Sequence, residues 1–174
     1  NDCLAVFALE INNADLWSPD NPALYTCKVK FGEDETEETF GIRTIACTPS
    51  EGLTMNGKRI IIRGACIHHD NGILGARCYE EAEERKIRIL KKNGYNAVRS
   101  AHNPCSKAIL KACDKLGVMM MDEYCDMWYI HKTMYDYAGY VQDWYEQDLT
   151  DMIDKDYNHP SVIMYSLGNE VAET

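Results

Sequence analysis

Four short apolar runs, each ending in polar residues and separated by stretches of helical periodicity, constrain this chain more than any other feature. The runs are Ile60 to His68, Asn96 to Ala101, Val118 to Met121 and Val162 to Leu167. Strands this apolar must be covered on both faces, as in parallel βα units and unlike antiparallel sheets that face water on one side. A helix is predicted from about Tyr79 to Asn93, with Tyr79, Ala82, Ile87, Ile89 and Leu90 on one side. Glu80, Glu81, Glu83 and Glu84 load its first turns, where the helix dipole favours anions. A second helix opens with Asn103-Pro104 as N-cap and first residue, packs through Ile109, Leu110, Cys113 and Leu116, and stops at Gly117. A third uses Val141, Trp144, Tyr145, Leu149, Met152 and Ile153 as its inner face. The pattern describes part of a barrel or of a doubly wound sheet. A complete eight-fold barrel takes about 250 residues, and roughly half that many follow the linker near residue 51.

Ahead of this region the chain reads as all-β. Strands are expected at Leu4 to Ile11, Leu24 to Phe31 and Thr39 to Ile45, with turns at Ser18 to Pro22 and at Gly32-Glu33-Asp34. Three strands are too few for a closed sandwich. Ala46 to Glu51 acts as a linker, and Asn56-Gly57 between Leu53-Thr54-Met55 and Arg59 to Arg63 is a strong hairpin signal.

The chain of 174 residues carries 18 Lys plus Arg against 28 Asp plus Glu, a formal charge of −10. That balance, without any basic stripe, speaks against nucleic acid and anionic membrane surfaces as partners. No apolar run approaches the roughly 20 residues that cross a bilayer. The eight cysteines include no CxxC pair, and Cys27, Cys66 and Cys113 lie within apolar elements, so buried reduced thiols and a cytoplasmic location are expected. The first residue is Asn and no leader-like segment follows it, so the natural N-terminus is expected upstream.

In βα folds chemistry collects where strands end. The candidates there are His68, His69 and Asp70, then Arg99, His102 and Asn103, then Asp122 and Glu123, and lastly Asn169 and Glu170. Each alone is equally well read as a structural ion pair; four successive strand ends bearing such groups make the stronger case. Adjacent His68 and His69 point to opposite faces, unlike the His-x-His pair of metal-dependent barrel hydrolases.

Trp17-Ser18-Pro19, Phe40-Gly41-Ile42-Arg43, Ile62-Arg63-Gly64, Asn96 to Pro104, Asp122-Glu123 and Ser166-Leu167-Gly168-Asn169-Glu170, in this order, resemble glycoside hydrolase family 2. That family contains β-galactosidases, β-glucuronidases and β-mannosidases. The resemblance implies an α/β fold: a partial (β/α)8 TIM barrel, strands one to four, over residues 48–174, preceded by the second half of an immunoglobulin-like β-sandwich over residues 1–47. It implies that Glu170 is the general acid/base of a retaining exo-β-glycosidase and that Asn169 bonds the sugar 2-hydroxyl. His68, Arg99, His102, Asn103, Asp122 and Glu123 are implied to shape the carbohydrate pocket. The nucleophile, near the end of strand seven, lies outside the chain, so the chain alone is expected to be inactive. Glu123 is the nearest carboxylate, at a position the family does not use for attack. Met127 stands where magnesium-dependent members carry a Glu ligand, so no metal or cofactor is expected, and Asp126 and Trp128, with Tyr129 beside it, are expected to meet sugar instead. The open edge of strand four predicts self-association. The alternatives are a non-catalytic sugar-binding or self-associating fragment, a β-glucuronidase-like parent, and a metal-dependent barrel hydrolase with zinc near His68 and His102.

Overall fold

The computed structural model describes residues 4–172. Its central element is a four-stranded parallel sheet in sequential order: β6 (Gly64–Ile67), β7 (Ala97–Ser100), β8 (Met119–Glu123) and β9 (Val162–Ser166). It is preceded by the hairpin β1 (Tyr25–Phe31) and β2 (Asp34–Phe40), and by the antiparallel trio β3 (Ile45–Thr48), β4 (Gly52–Met55) and β5 (Lys58–Arg59). Three helices connect the parallel strands: α1 (Glu80–Lys92), α2 (Lys107–Leu116) and α3 (Ala138–Asp156). Sequential parallel strands with a helix in each crossover form a partial α/β barrel.

The helix-facing core is built from Ile87, Val98, Ile109, Leu110, Cys113, Val118, Met120 and Val162. Period-two alternation turns the neighbouring Ala97 and Met119 to the other face of the sheet, where they pack with Trp17 and Met55. Trp17 is fully buried, and its indole N–H donates to the Asp114 carbonyl at 2.8 Å. Gly117 ends α2 in the left-handed conformation (φ 68°), as expected. Asn56 (φ 53°) and Gly57 (φ 74°) form the expected tight hairpin turn.

Several expectations are corrected. Leu4 to Ile11 forms no strand, and Leu4, Val6, Phe7 and Leu9 are exposed; among the described residues nothing pairs with this run, and β-propensity without a partner does not make a sheet. The turn after β1 is only Gly32-Glu33, so Asp34 to Glu38 is strand rather than loop. Two of its four acids are held opposite cations, Lys28 facing Glu37 and Lys30 facing Glu35. The strand expected over Thr39 to Ile45 is divided, with Phe40 closing β2, Ile42 bridging Leu16, and Ile45 opening β3. Strand character in Ile60 to His68 is confined to Gly64–Ile67.

Ser106, not Asn103, caps α2, its hydroxyl accepting from the Ile109 N–H at 3.2 Å. The Asn103 carbonyl instead accepts from the Ser100 hydroxyl, which holds residues 100–103 in a turn above β7. The inner face of α1 runs through Glu83, Ile87 and Leu90, while Tyr79 and Ile89 are exposed. Buried Glu83 is compensated by Lys86 at 3.1 Å and Asn71 at 2.7 Å, so a charge stands where periodicity favours an apolar side chain. On α3, Val141 and Met152 are buried, whereas Trp144, Tyr145 and Ile153 are exposed. The seven described cysteines are free, but only Cys105, Cys113 and Cys125 are buried; Cys66 is exposed.

Candidate active site

The C-terminal ends of β7, β8 and β9 bring Arg99, Glu123 and Ser166 onto the same face of the sheet. Glu123 is fully buried, and both of its oxygens are occupied. Oε2 accepts from Arg99 Nε at 2.8 Å, from Arg99 Nη2, and from the Ser166 hydroxyl at 2.6 Å. Oε1 lies 2.8 Å from His102 Nδ1. Arg99 Nη2 also donates to Asn169 Oδ1 at 3.0 Å, and Nη1 approaches Cys66 Sγ at 3.5 Å. Desolvation opposes the Arg99 charge, but the bonds to Cys66 and Glu123 outweigh it and hold the guanidinium pKa above its ordinary value.

The network continues toward the mouth. Asn169 Nδ2 donates to Asp126 Oδ1 at 2.9 Å, leaving its second N–H for another acceptor. Lys132 bonds the same Asp126 oxygen at 2.8 Å. The Lys132 ammonium, more than burial opposes it, keeps the Asp126 carboxyl below the usual range, with Asn169 adding to the effect. Glu170 follows Asn169 in an exposed position with φ 46°, a left-handed conformation that an unbranched acidic residue adopts only when its surroundings hold it there. Gly168 is required just before it: a Cβ there would lie 2.8 Å from Val171 and 2.9 Å from the Trp128 indole nitrogen.

Most of the residues singled out from the sequence converge here. His68 stacks edge-on against His102 with ring centroids 5.5 Å apart. Asn103 is exposed and, with His102, Asp126 and Tyr124, lines a cavity of about 510 Å³ beside the cluster. Trp128, Tyr129, Ile130 and Lys132 surround Glu170 in a smaller pocket of about 50 Å³. The Trp128 N–H is already engaged with the Leu167 carbonyl at 2.8 Å, so the indole holds the chain entering the Asn169-Glu170 segment.

Asp122 is a correction. It points to the helix-facing side of β8, fully buried, where it accepts from the Cys105 N–H at 2.8 Å and pairs with Lys155 at 3.0 Å. Alternation along β8 makes this unavoidable once Glu123 faces the site. His69 and Asp70 do not join the cluster: His69 lines a small cavity with Glu83 and Lys86, and Asp70 closes a turn onto the Gly72 N–H. Ser166 and Lys132 were not legible in advance. Counting in twos along β9 from the helix-facing Val162 puts Ser166 on the wrong face, because the pairing of β8 with β9 shifts register between Met120 and Met121, and nothing in the sequence marks Lys132.

The donor set does not suit a divalent cation. Asp126 faces an ammonium, Met127 offers a buried thioether, and among the described residues no three His, Cys, Asp or Glu side chains converge.

Comparisons with known proteins agree with this geometry. Residues 47–174 match the family described as "Glycosyl hydrolases family 2, TIM barrel domain", and residues 1–43 match "Glycosyl hydrolases family 2". The chain is 44% identical over 170 residues to Beta-galactosidase BoGH2A of Bacteroides ovatus, covering 95% of this chain and 20% of that protein. A crystal structure of a glycosyl hydrolase family 2 member from Bacteroides cellulosilyticus superposes with a TM-score of 0.87 at 48% identity, covering 91% of this chain and 21% of that one. The β-glucuronidase of Parabacteroides merdae, with glycerol in its active site, superposes at 0.79 and 34% identity, over 92% of this chain and 20% of that one. The chain thus spans about a fifth of the length of these relatives. A site assembled at the strand ends of a partial parallel barrel, together with the match over residues 47–174, places this chain in glycosyl hydrolase family 2.

Proposed function

We propose that the chain is the acid/base-bearing part of a retaining exo-β-glycosidase that hydrolyses terminal β-galactosides. Residues 1–47 are assigned to the end of the immunoglobulin-like sandwich and 48–174 to barrel strands one to four. The observation that carries the reading is the continuous bonding from Glu123 through Arg99 to Asn169, which ends at Glu170 on the mouth of the fourth strand. Glu170 protonates the leaving oxygen and then deprotonates the attacking water. Asn169 offers its free N–H to the 2-hydroxyl, with Arg99, His102 and Glu123 forming the floor of the sugar site and His68, Asn103, Asp126 and Trp128 its rim.

A retaining mechanism needs a second carboxylate about 5 to 5.5 Å from the acid/base. Glu123 is unsuited to that role, because His102 covers one oxygen and Arg99 with Ser166 covers the other. The nucleophile is therefore assigned outside these residues, and the 174-residue chain alone is inactive. Galactoside is favoured over glucuronide by charge: the two cations of the cluster, Arg99 and Lys132, are already paired with Glu123 and Asp126. The glucuronidase names among the relatives keep that sugar as the second reading.

The decisive experiment is Glu170→Gln in a full-length enzyme carrying these residues. An aryl glycoside with a strongly acidic phenol leaves without protonation, so its glycosylation step survives, whereas turnover of a disaccharide falls by about 10² or more. Equal loss on both substrates would remove the acid assignment. Turnover by the 174-residue chain alone would refute the external nucleophile. For that chain we also propose self-association through the open β9 edge, which a monodisperse monomer in light scattering at micromolar concentration rules out.

A further inference from the structure

The loop between β8 and α3 carries a cation, Lys132, that bridges two acceptors beside the sugar site. Lys132 Nζ donates to Asp126 Oδ1 at 2.8 Å and to the backbone carbonyl of Asn169 at 2.6 Å. The peptide unit is planar, so fixing the Asn169 carbonyl also fixes the Glu170 N–H and the direction in which the Glu170 Cα leaves it. That residue holds the unusual φ of 46°.

Lys132 is itself held. Asp136 Oδ2 accepts from the backbone N–H groups of Lys132 at 2.6 Å and Thr133 at 2.8 Å, while Oδ1 accepts from the N–H of Ala138, the first residue of α3, at 3.0 Å. His131 Nδ1 adds a contact to Asp136 at 2.7 Å. A continuous bonded path thus runs from the start of α3 through Asp136 and Lys132 to the peptide joining Asn169 to Glu170.

From this geometry we infer that Lys132 is a positioning residue for the sugar-binding amide of Asn169, the neighbour of the acid/base Glu170, acting through Asp126 and the 169–170 peptide. The inference rests on the assignment of those two residues in the proposed function. A Lys132 that merely neutralised Asp126 would matter for folding and not for recognition of the sugar.

The test uses a full-length enzyme carrying these residues, with an aryl β-glycoside of the sugar it turns over and the 2-deoxy counterpart. Lys132→Met lowers kcat/KM at least tenfold for the 2-hydroxy substrate and much less for the 2-deoxy one, so that the preference falls to that of Asn169→Ala. Lys132→Arg, able to bridge the same two acceptors, recovers part of it, and Asp136→Asn shifts the preference in the same direction by less. Equal loss on both substrates, or none, overturns the inference. If Lys132→Met does not fold, Asp136→Asn and Lys132→Arg decide, and a wild-type substrate preference in both overturns it. No turnover of any β-glycoside by the unmutated enzyme overturns the acid/base assignment and this inference together; normal turnover with an unchanged preference overturns the role of Lys132 alone.

Discussion

Arg99 reaches Glu123 Oε2 through two of its nitrogens, and one of them, Nη2, also holds Asn169 Oδ1 at 3.0 Å. A single guanidinium thereby ties the middle strand of the site to the segment that carries Glu170, the proposed acid/base.

Removing that guanidinium leaves a carboxylate with no exposure beside a side chain that was 27% exposed. Arg99→Met should destabilise the chain by about 2–4 kcal/mol, below the roughly 3–5 expected for a fully buried pair, because His102 and Ser166 remain and solvent reaches the position. Urea unfolding of the 174-residue chain measures it. Adding Glu123→Gln should recover part of the loss; a strictly additive double variant counts against the coupling.

Lys155 is one cation shared by two buried carboxylates, Asp122 at 3.0 Å and Asp156, and one oxygen of Asp156 has no partner. Burial, more than the Lys155 attraction offsets it, raises the Asp156 carboxyl from 3.8 to about 6. A carboxyl raised in the folded state costs stability as it ionises, so that contribution is intact below about pH 4 and lost as pH rises through about 6. Asp156→Asn should flatten this part of the stability profile and add on the order of 1–2 kcal/mol at pH 7. Chemical denaturation at pH 4, 5, 6 and 7 reads the slope, and an unchanged slope defeats the prediction.

Asp136 behaves in the opposite sense. Three backbone N–H groups, Thr133 foremost, together with His131 lower its carboxyl from 3.8 to about 2. Its contribution is present above about pH 4 and disappears as pH falls through about 2. Amide exchange at Lys132, Thr133 and Ala138, corrected for intrinsic rates, should therefore accelerate selectively over that interval, and Asp136→Asn should show the acceleration already at pH 7.

Gly168→Ala places a methyl group within 2.9 Å of the Trp128 indole nitrogen. The indole must move off the Leu167 carbonyl, and the following Asn169-Glu170 segment moves with it. A full-length enzyme should lose at least tenfold in kcat, and the Trp128 indole N–H resonance of the 174-residue chain should shift. An unshifted resonance means the neighbourhood accommodates the methyl group.

What was legible in the sequence followed from periodicity and turn chemistry. The parallel strands, Gly117 as a helix stop and the Asn56-Gly57 turn rest on local rules, and they hold. Apolarity alone does not give the inner faces of α1 and α3, because Glu83 and Asp156 are buried there with charged or polar partners. Asp34 to Glu38 reads as a loop because the placement of Lys28 and Lys30 across from Glu37 and Glu35 cannot be seen one strand at a time. At the site, Arg99, His102, Glu123 and Asn169 could be named from strand ends, but only three-dimensional geometry separates Glu123 from Asp122 and reveals the reach of Lys132.

Arg43 precedes the barrel in sequence, yet its side chain donates to the carbonyls of Pro160 and Val162 at the foot of β9, the strand that leads into Asn169-Glu170. Trp17 makes the comparable connection to Asp114, and Gly41 lies so close to Pro160 that a Cβ there would sit 2.5 Å from its ring. A cut after residue 47, which looks modular on paper, would strip the barrel of a plug and leave two strand-base carbonyls without their donor. Gene fusions and domain exchanges among these enzymes should accordingly carry residues 15–43 along with the barrel, because the end of one unit here serves as the footing of the next.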